Sequence, residues 1–338
     1  MSVCSTYFFS FHIYCQYMAS SEEQRLWEAT TTGDLDTVKS IMEDLTCDVN
    51  WVGEDRLDTP LHRACRFGRT EIVRELVRDP RVDVNKGNKG GASPLYIACQ
   101  ESHPEIVQVL LRDRRVDVNK PSETGATPFL ISCENGESDA VVALLGHPLV
   151  DVNQIEMEGC SPLWMAAHHG RLLVAQHVLA SGRRIVTQAR AGGEPQMSWA
   201  GKTAAEVGRV QAWRKKFRTE SEEDFSRRVR CGPLIGLLVD SFEKDPEGVR
   251  MILRNLPGVR DPFIGKLFAL VVFFSDNFLL CPVSGDTRRF FKLAARLPLD
   301  LQMLLCNRAY RSPRDIVLSR YSEAGFRWLA APFRPQTG

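Results

Sequence analysis

A repeat of 34 residues constrains the fold of this chain more than any other feature of its sequence. A hydroxyl residue followed by proline recurs at Thr59, Ser93, Thr127 and Ser161, always 34 residues apart. The tripeptide Asp-Val-Asn follows each of the first three pairs at a constant distance. A fixed period of this length indicates stacked supersecondary units, none of which can bury its apolar face alone.

The residues within one period predict a helix, a tight turn, a second helix and a return loop. The hydroxyl residue is a helix N-cap, and proline suits the first helical position because its missing N–H donor is not needed there. Leu61 and Ala64 continue an apolar helical face, and Gly68 predicts a left-handed helix end. Ser102 replaces that glycine in the third unit, so we expect a weaker turn there.

The segment Thr59 to Ala64, TPLHRA, resembles the ankyrin repeat, whose signature is T-P-L-H-x-A. The resemblance covers about residues 22–217 and implies an all-α ankyrin-repeat solenoid of about five full repeats plus a partial one. It also implies that His62 is structural and bonds the neighbouring loop. Tyr96, Leu130 and Trp164 replace this histidine in later units, so we expect less local rigidity. For Trp164, the structural interpretation is that its side chain packs against the next loop.

The chain is expected to contain three regions. We expect residues 1–21 to be a disordered leader. The alternative is that translation begins at Met18. Residues 22–217 form the ankyrin repeat domain, and residues 218–338 a compact helical C-terminal domain. An insertion follows the fifth unit, where Gly192, Gly193 and Pro195 predict an extended, mobile finger.

Most of the C-terminal region shows no clear resemblance to a known family. The apolar run over residues 263–280 contains Lys266, Asp276 and Asn277, which favours a buried core helix over a membrane span. The stretch from Leu297 to Cys306 is faintly similar to the end of the SOCS box, a helical module that recruits ubiquitin ligases.

Composition and charge exclude several classes of function. The net charge of the 338 residues is +1, but acidic side chains outnumber basic ones over residues 1–182. Because phosphate binding needs a basic face, nucleic acid is not an expected partner of the repeats. Ten cysteines without a CxxC pair predict structural thiols in a reducing compartment. We therefore expect a cytoplasmic protein.

The nucleus is an alternative location. The basic residues Lys215, Lys216 and Arg218 fit a short import signal. A solvated helix face at the domain junction is the simpler interpretation of these charges.

Two motifs imitate active sites without completing them. Gly201-Lys202-Thr203 ends like a phosphate-binding loop, but Gln196 stands where that loop needs glycine. His168 and His169 are adjacent on a helix and so do not face the same side, which disfavours a shared metal ion. We expect no enzyme, no catalytic residues, no cofactor and no metal.

The resemblance implies a protein or peptide partner, bound across repeats two to five on the concave side. That side consists of the outward positions of the first helices and the loop tips, and the monomer is expected to be the unit that binds. Apolar residues at exposed repeat positions fit such a patch. The predicted protein-binding residues are Trp51, Arg63, Arg66, Phe67, Lys86, Lys89, Ile97, Gln100, Glu101, Lys120, Ile131, Glu134, Asn135, Ile155, Met157, Met165, His168 and His169.

Two hypotheses about function remain open at this point. In the first, the protein is a non-enzymatic adaptor or scaffold whose repeats hold a partner. In the second, the repeats target an activity, or a ubiquitin-ligase recruitment role, that the C-terminal helical domain carries.

Overall fold

A computed structural model describes residues 21–53, 56–192, 199–211, 221–256, 259, 302 and 306. Within these residues the secondary structure comprises thirteen α-helices and no strand, which confirms the all-α class. The chain divides into two compact units, one ending at Pro128 and the other beginning at Phe129. The domain boundary between residues 217 and 218 stays a prediction.

The first unit is a stack of helix pairs in two layers. Helices α1, α3 and α5 pack in sequence as one layer, and α2, α4 and α6 pack in sequence as the other. The bounds are α1 Ser21–Thr32, α2 Leu35–Met42, α3 Pro60–Arg66, α4 Thr70–Arg78, α5 Pro94–Gln100 and α6 Pro104–Leu110.

The second unit repeats this two-layer arrangement. Its helices are α7 Pro128–Asn135, α8 Ser138–Leu145, α9 Pro162–His168, α10 Leu172–Ala180, α11 Ala204–Val210, α12 Glu222–Lys244 and α13 Pro246–Leu253. Helix α11 packs on α9, and α12 packs on both α10 and α11. The long helix α12 therefore occupies the second-helix position of the sixth repeat, which the sequence predicted as incomplete.

Side-chain caps are present at four helix starts, three of which the sequence predicts. The side-chain oxygens of Thr59, Ser93, Ser161 and Thr203 each accept the backbone N–H three residues on, at 3.2–3.3 Å. At Thr203 the cap is reciprocal, because Glu206 accepts the Thr203 N–H at 2.8 Å. Gly201-Lys202-Thr203 is thus a capped helix start.

The left-handed turn that ends each first helix is also present. Gly68 has φ +68° and Ser102, its counterpart in the third unit, has φ +63°. Glycine adopts this conformation without cost, whereas a side chain at this φ crowds the following carbonyl. The turn at Ser102 therefore has the same shape as the turn at Gly68, but the serine side chain strains the backbone there.

In three of the repeats, a ring nitrogen bonds the loop of the next repeat. The ring N–H groups of Trp27, His62 and Trp164 meet the carbonyl of the residue directly before the next N-cap, at 3.1, 3.0 and 3.0 Å. His62 accepts the Thr59 N–H on Nδ1, which leaves the proton on Nε2 for this bond. The structural role of His62 is confirmed. Trp164 supplies an equivalent bond, so the expected loss of rigidity is wrong there.

A ladder of asparagines joins successive return loops. Asn50 donates to the Arg81 carbonyl at 2.8 Å and accepts the Asp83 N–H at 2.7 Å. Asn85 makes the same two bonds to the next loop at 2.6 and 2.7 Å, and Asn153 makes them at 2.7 and 2.8 Å. Each asparagine therefore satisfies two backbone groups of its neighbour, which fixes the register between repeats.

Three glycines let α12 approach α11 at backbone distance. A Cβ on Gly208 would lie 2.6 Å from the Gly232 carbonyl oxygen, and one on Gly236 would lie 2.8 Å from the Ala205 oxygen. A Cβ on Gly232 would meet the Gln211 side chain at 2.8 Å. Only glycine fits at such a crossing, so the sequence commits α12 to this partner.

Several predictions lie outside the described residues. These are the leader, the basic cluster of Lys215, Lys216 and Arg218, the core helix over residues 263–280, and most of the SOCS-like stretch. The predicted finger is described only over its first residues, 183–192, which are not helical. Of the helices that the structure does describe, none is long and apolar enough to cross a membrane.

The asparagine ladder predicts a measurable contribution to stability. Asn85→Ala leaves two loop backbone groups without their partner and should lower the free energy of unfolding by about 1–3 kcal/mol. Urea unfolding followed by circular dichroism measures the change. Asn255→Ala is the matched control, because its side-chain bond runs to Met251 within one turn of its own exposed segment. Equal unfolding midpoints for the two variants would contradict a stabilising ladder.

The strained turn at Ser102 predicts a stabilising substitution. Ser102→Gly removes the crowded side chain and should raise the free energy of unfolding by about 0.5–1 kcal/mol. Gly68→Ala should do the opposite, because its Cβ would lie 2.8 Å from Cε1 of His103. Thermal unfolding of both variants tests the pair, and a loss of stability in Ser102→Gly would refute the assignment of strain.

The buried imidazole of His177 predicts that acid destabilises the fold. Burial lowers the pKa of His177 from 6.5 to about 4, so the folded protein keeps it neutral while the unfolded chain takes up a proton. This contribution is fully present above pH 6.5 and is lost as the pH falls toward 4. Between pH 7 and pH 5 the loss from this group should be about 2 kcal/mol. Urea unfolding of the wild type and His177→Leu at both pH values measures it; identical pH dependences would contradict this origin.

Candidate functional site

The candidate surface of the first unit centres on a guanidinium held between two rings. The Arg63 guanidinium carbon lies 4.1 Å from the Trp27 ring centroid and 4.7 Å from the Phe67 ring centroid. Its Nε donates to the Thr31 hydroxyl at 3.1 Å. Phe67 remains 41% exposed. The arrangement orders Arg63 by cation–π contact and leaves part of the Phe67 ring exposed to solvent.

Two further predicted binding residues of this unit, Arg66 and Glu101, form an ion pair with each other. Arg66 forms ion pairs with Glu101 at 2.8 Å and with Asp58 at 3.2 Å. The Asp58 carboxylate is buried, whereas Glu101 is partly exposed. Arg66 is therefore engaged inside the chain, and Gln100 beside Glu101 is the exposed polar group of this helix end.

The predicted lysines divide into two kinds. Lys86 and Lys120 donate their ammonium groups to the carbonyls of Asn50 and Asn85 in the preceding loops. Lys89 is exposed at the tip of its turn. Two of the three lysines thus connect loops within the repeat stack. Trp51 is half-buried.

Two predicted surface residues lie in the interior. Ile97 is 2% exposed and Ile131 is 8% exposed, so the expectation that they are exposed was wrong. Arg63 and Met165 occupy the same repeat position and are half-buried. The long, unbranched side chains reach solvent from this position, whereas the short, branched isoleucine side chains stay below the surface. Binding by Ile97 or Ile131 stays a prediction.

In the second unit the two histidines belong to an aromatic cluster. His168 stacks on Trp164 with ring centroids 4.9 Å apart and an interplanar angle of 10°. Trp199 meets the edge of Trp164 at 5.7 Å, and His169 lies edge-on to His168 at 4.8 Å. In the part of the chain that the structure describes, no three His, Cys, Asp or Glu side chains converge as a metal site requires.

Glu134 places a partly desolvated carboxylate beside this cluster. Burial raises the pKa of Glu134, Arg171 opposes the rise and Glu156 adds to it. His169 Nε2 lies 3.7 Å from Glu134 Oε1. Because a carboxylate in such a position gains from a further cation, Glu134 can accept a basic group of a partner. Asn135 follows it at the half-buried helix end.

The loop tip of the fifth repeat presents two large apolar side chains. Ile155 is 52% exposed and Met157 is 78% exposed. The turn between them is fixed, because the Glu156 carboxylate accepts the N–H groups of Glu158 and Cys160 at 3.0 and 3.1 Å. The Glu156 N–H also donates to the Cys160 carbonyl at 3.2 Å. The tip is therefore an ordered turn with an apolar surface.

The sequence predicted the positions of these residues but not their pairing. The structure joins Arg63 to Phe67 and Glu134 to His169. Sequence reasoning missed Trp27, which stands one repeat before His62 and serves both as the ring donor and as the platform for Arg63. Its place directly after the apolar Leu26, matching Leu61-His62, was the signal that could have found it.

Comparisons with known proteins find a likeness to ankyrin repeats over part of the chain. The family model for ankyrin repeats, in three copies, matches residues 26–122. Among solved structures, the chain is similar to the crystal structure of EF0377, an ankyrin repeat protein, at 22% sequence identity. That likeness covers 62% of this chain and 96% of the other, with a TM-score of 0.49. Among curated proteins, none matches the sequence.

Proposed function

Residues 26–122 of this chain are ankyrin repeats, and from that premise we propose that the protein is a non-enzymatic adaptor. Ankyrin repeats are generic protein–protein interaction modules. The partner is a protein or peptide that binds on the first-helix and loop-tip side of the repeats, and no catalytic step is assigned to them.

The observation that carries this proposal is the apolar tip formed by Ile155 and Met157. Two large apolar side chains exposed two residues apart on one ordered turn form a small apolar patch, and such a patch suits a protein-binding site. Because the Glu156 carboxylate already fixes the turn, little conformational freedom is lost when a partner binds. Binding there is favourable for an apolar side chain that packs against Met157.

The corresponding tips of the first unit show that the fold does not require apolar residues there. Lys89 and Gly90 occupy one tip, and Glu123 and Thr124 occupy the next, all of them exposed. These tips still bond each other, since the Glu123 N–H donates to the Gly90 carbonyl at 2.9 Å. The apolar pair at residues 155 and 157 is therefore free of a folding role.

The state of the cysteines supports a reducing compartment such as the cytoplasm. The cysteines of the described residues form no disulfide, and all but Cys231 are buried. Burial raises the pKa of the Cys47 thiol to about 11 and also raises that of Cys65. Thiols held protonated in this way are unreactive structural residues.

Affinity capture with the full chain as bait tests the proposal. Three baits are compared in extracts of the source cells: the wild type, the double variant Ile155→Ser/Met157→Ser, and Leu149→Ser. Leu149 is the matched control, because it is 71% exposed in another loop of the same unit. A partner captured by the wild type and by Leu149→Ser should bind the double variant at least about tenfold more weakly in titration calorimetry.

Each result of this comparison decides the matter. Equal affinity of the wild type and the double variant for every captured protein would refute binding through the tip. A loss shared by Leu149→Ser would show that general surface hydrophobicity, and not this turn, causes the capture. Circular dichroism of all three baits establishes that they are folded.

A further inference from the structure

The segment from Arg184 to Arg190 belongs to neither a helix nor a sheet, but its side chains alternate in exposure as those of an extended chain do. The side chains along it alternate between exposed and half-buried: residues 184, 186, 188 and 190 are exposed, while 185, 187 and 189 are half-buried. This period of two is the pattern of a β-strand that lies with one face on a protein surface. No described residue pairs with it as a second strand.

One edge of this segment is hydrogen-bonded to Asn153 of the asparagine ladder. Asn153 donates to the Arg184 carbonyl at 2.7 Å and accepts the Val186 N–H at 2.8 Å. In an extended chain, both backbone groups of a residue point to one edge and those of the next residue to the other. The even-numbered residues therefore face the Asn153 loop, which leaves the odd-numbered residues on the opposite edge.

That opposite edge carries unpaired backbone groups. Among the described residues, the N–H and C=O groups of Ile185, Thr187 and Ala189 take part in no hydrogen bond. The edge is bounded at one end by Arg250, which donates to the Arg183 carbonyl at 2.9 Å. At the other end Ala191 pairs with Gly201 and Lys202, at 2.8 and 3.2 Å. A row of free donors and acceptors of this kind is a template for another strand.

We propose that the edge formed by Ile185, Thr187 and Ala189 binds an extended segment of a partner protein as an added β-strand. The main-chain bonds supply affinity, and the exposed side chains beside them supply specificity. This surface is separate from the Ile155–Met157 tip, so the inference goes beyond the proposed function.

The exposed side chains define the chemistry of the partner strand. Arg184 and Arg190 stand at the two ends of the exposed row, and Val186 lies between them. Arg184 has no ion-pair partner within the described part of the chain. Arg190 pairs with Glu206 at 3.1 Å and also donates to the Gly201 carbonyl. The two side chains of the ion pair are 57% and 39% exposed, and a surface pair of this kind contributes little to stability. A strand with acidic residues at both ends and an apolar residue opposite Val186 fits best.

The same charges disfavour a second copy of this chain as the occupant. Antiparallel pairing of two copies about Thr187 would set Arg184 of one directly opposite Arg190 of the other. Like charges in directly opposed positions destabilise a strand pair. A different, acidic segment avoids this repulsion and replaces it with two attractive pairs.

A designed peptide tests the proposal on the full chain. The probe is acetyl-Glu-Thr-Gln-Thr-Val-Thr-Glu-amide, which in antiparallel register sets a glutamate against each arginine and its valine against Val186. Nuclear magnetic resonance titration should shift the amide signals of Ile185, Thr187 and Ala189 more than those of neighbouring residues. Thr187→Pro removes an edge donor and should weaken binding at least about tenfold. Gln188→Pro is the matched control, because its N–H points to the other edge.

A charge exchange keeps the test decisive if either proline variant misfolds. The double variant Arg184→Glu/Arg190→Glu should weaken binding of the acidic probe about tenfold and should prefer a probe with lysine in place of both glutamates. Absence of binding up to about 1 mM probe, or equal binding by Thr187→Pro, would overturn the proposal. Sedimentation that shows a dimer of the chain, abolished by Thr187→Pro, would assign the edge to a second copy and overturn it too.

Discussion

The loop-to-loop hydrogen bonds are the interaction on which the rest of this structure depends. Helices of seven to nine residues, such as Pro60–Arg66 and Thr70–Arg78, are too short to persist alone in water. They persist because their apolar faces stack, and stacking needs a fixed register between units. The asparagines of the Asp-Val-Asn loops and the ring donors Trp27, His62 and Trp164 set that register. Each bond satisfies a backbone N–H or C=O group of the neighbouring loop.

Arginines add a second set of polar connections on the return loops. Arg81 and Arg115 each form an ion pair with an aspartate two residues earlier and donate to carbonyls at the end of the preceding second helix. Arg183 reaches the corresponding carbonyls of His147 and Pro148, which follow the second helix of the fourth repeat. A cation suits this position, because the unpaired carbonyls make the helix C-terminus partly negative. These arginines are consequently structural, although the sequence alone shows them as exposed charge.

The same bonds decide which surfaces remain for partners. The N–H donors of Lys86, Lys120 and Arg66 bond to other groups of the same chain, and the Ile97 side chain is buried. Among the described residues, the surfaces that remain accessible include the partly exposed Phe67 ring in one unit, and the Ile155–Met157 tip and the proposed edge at residues 185–189 in the other. Asn153 bonds the irregular segment 184–190 as the other ladder asparagines bond regular loops. It orders one side of this segment, while the N–H and C=O groups of residues 185, 187 and 189 bond no described residue.

By itself, the sequence determined the period, the caps, the left-handed turns and the all-α class. Those features follow from local chemistry: Thr59 caps its own helix, and Gly68 turns its own chain. Only the tertiary structure decided that α12 completes the sixth repeat, because Gly208, Gly232 and Gly236 become a crossing only when two helices meet. It likewise decided that Ile131 is buried, because exposure depends on neighbours far along the chain. Side chains that act within one turn can be predicted from sequence, whereas those that act between repeats or between helices need the packed structure.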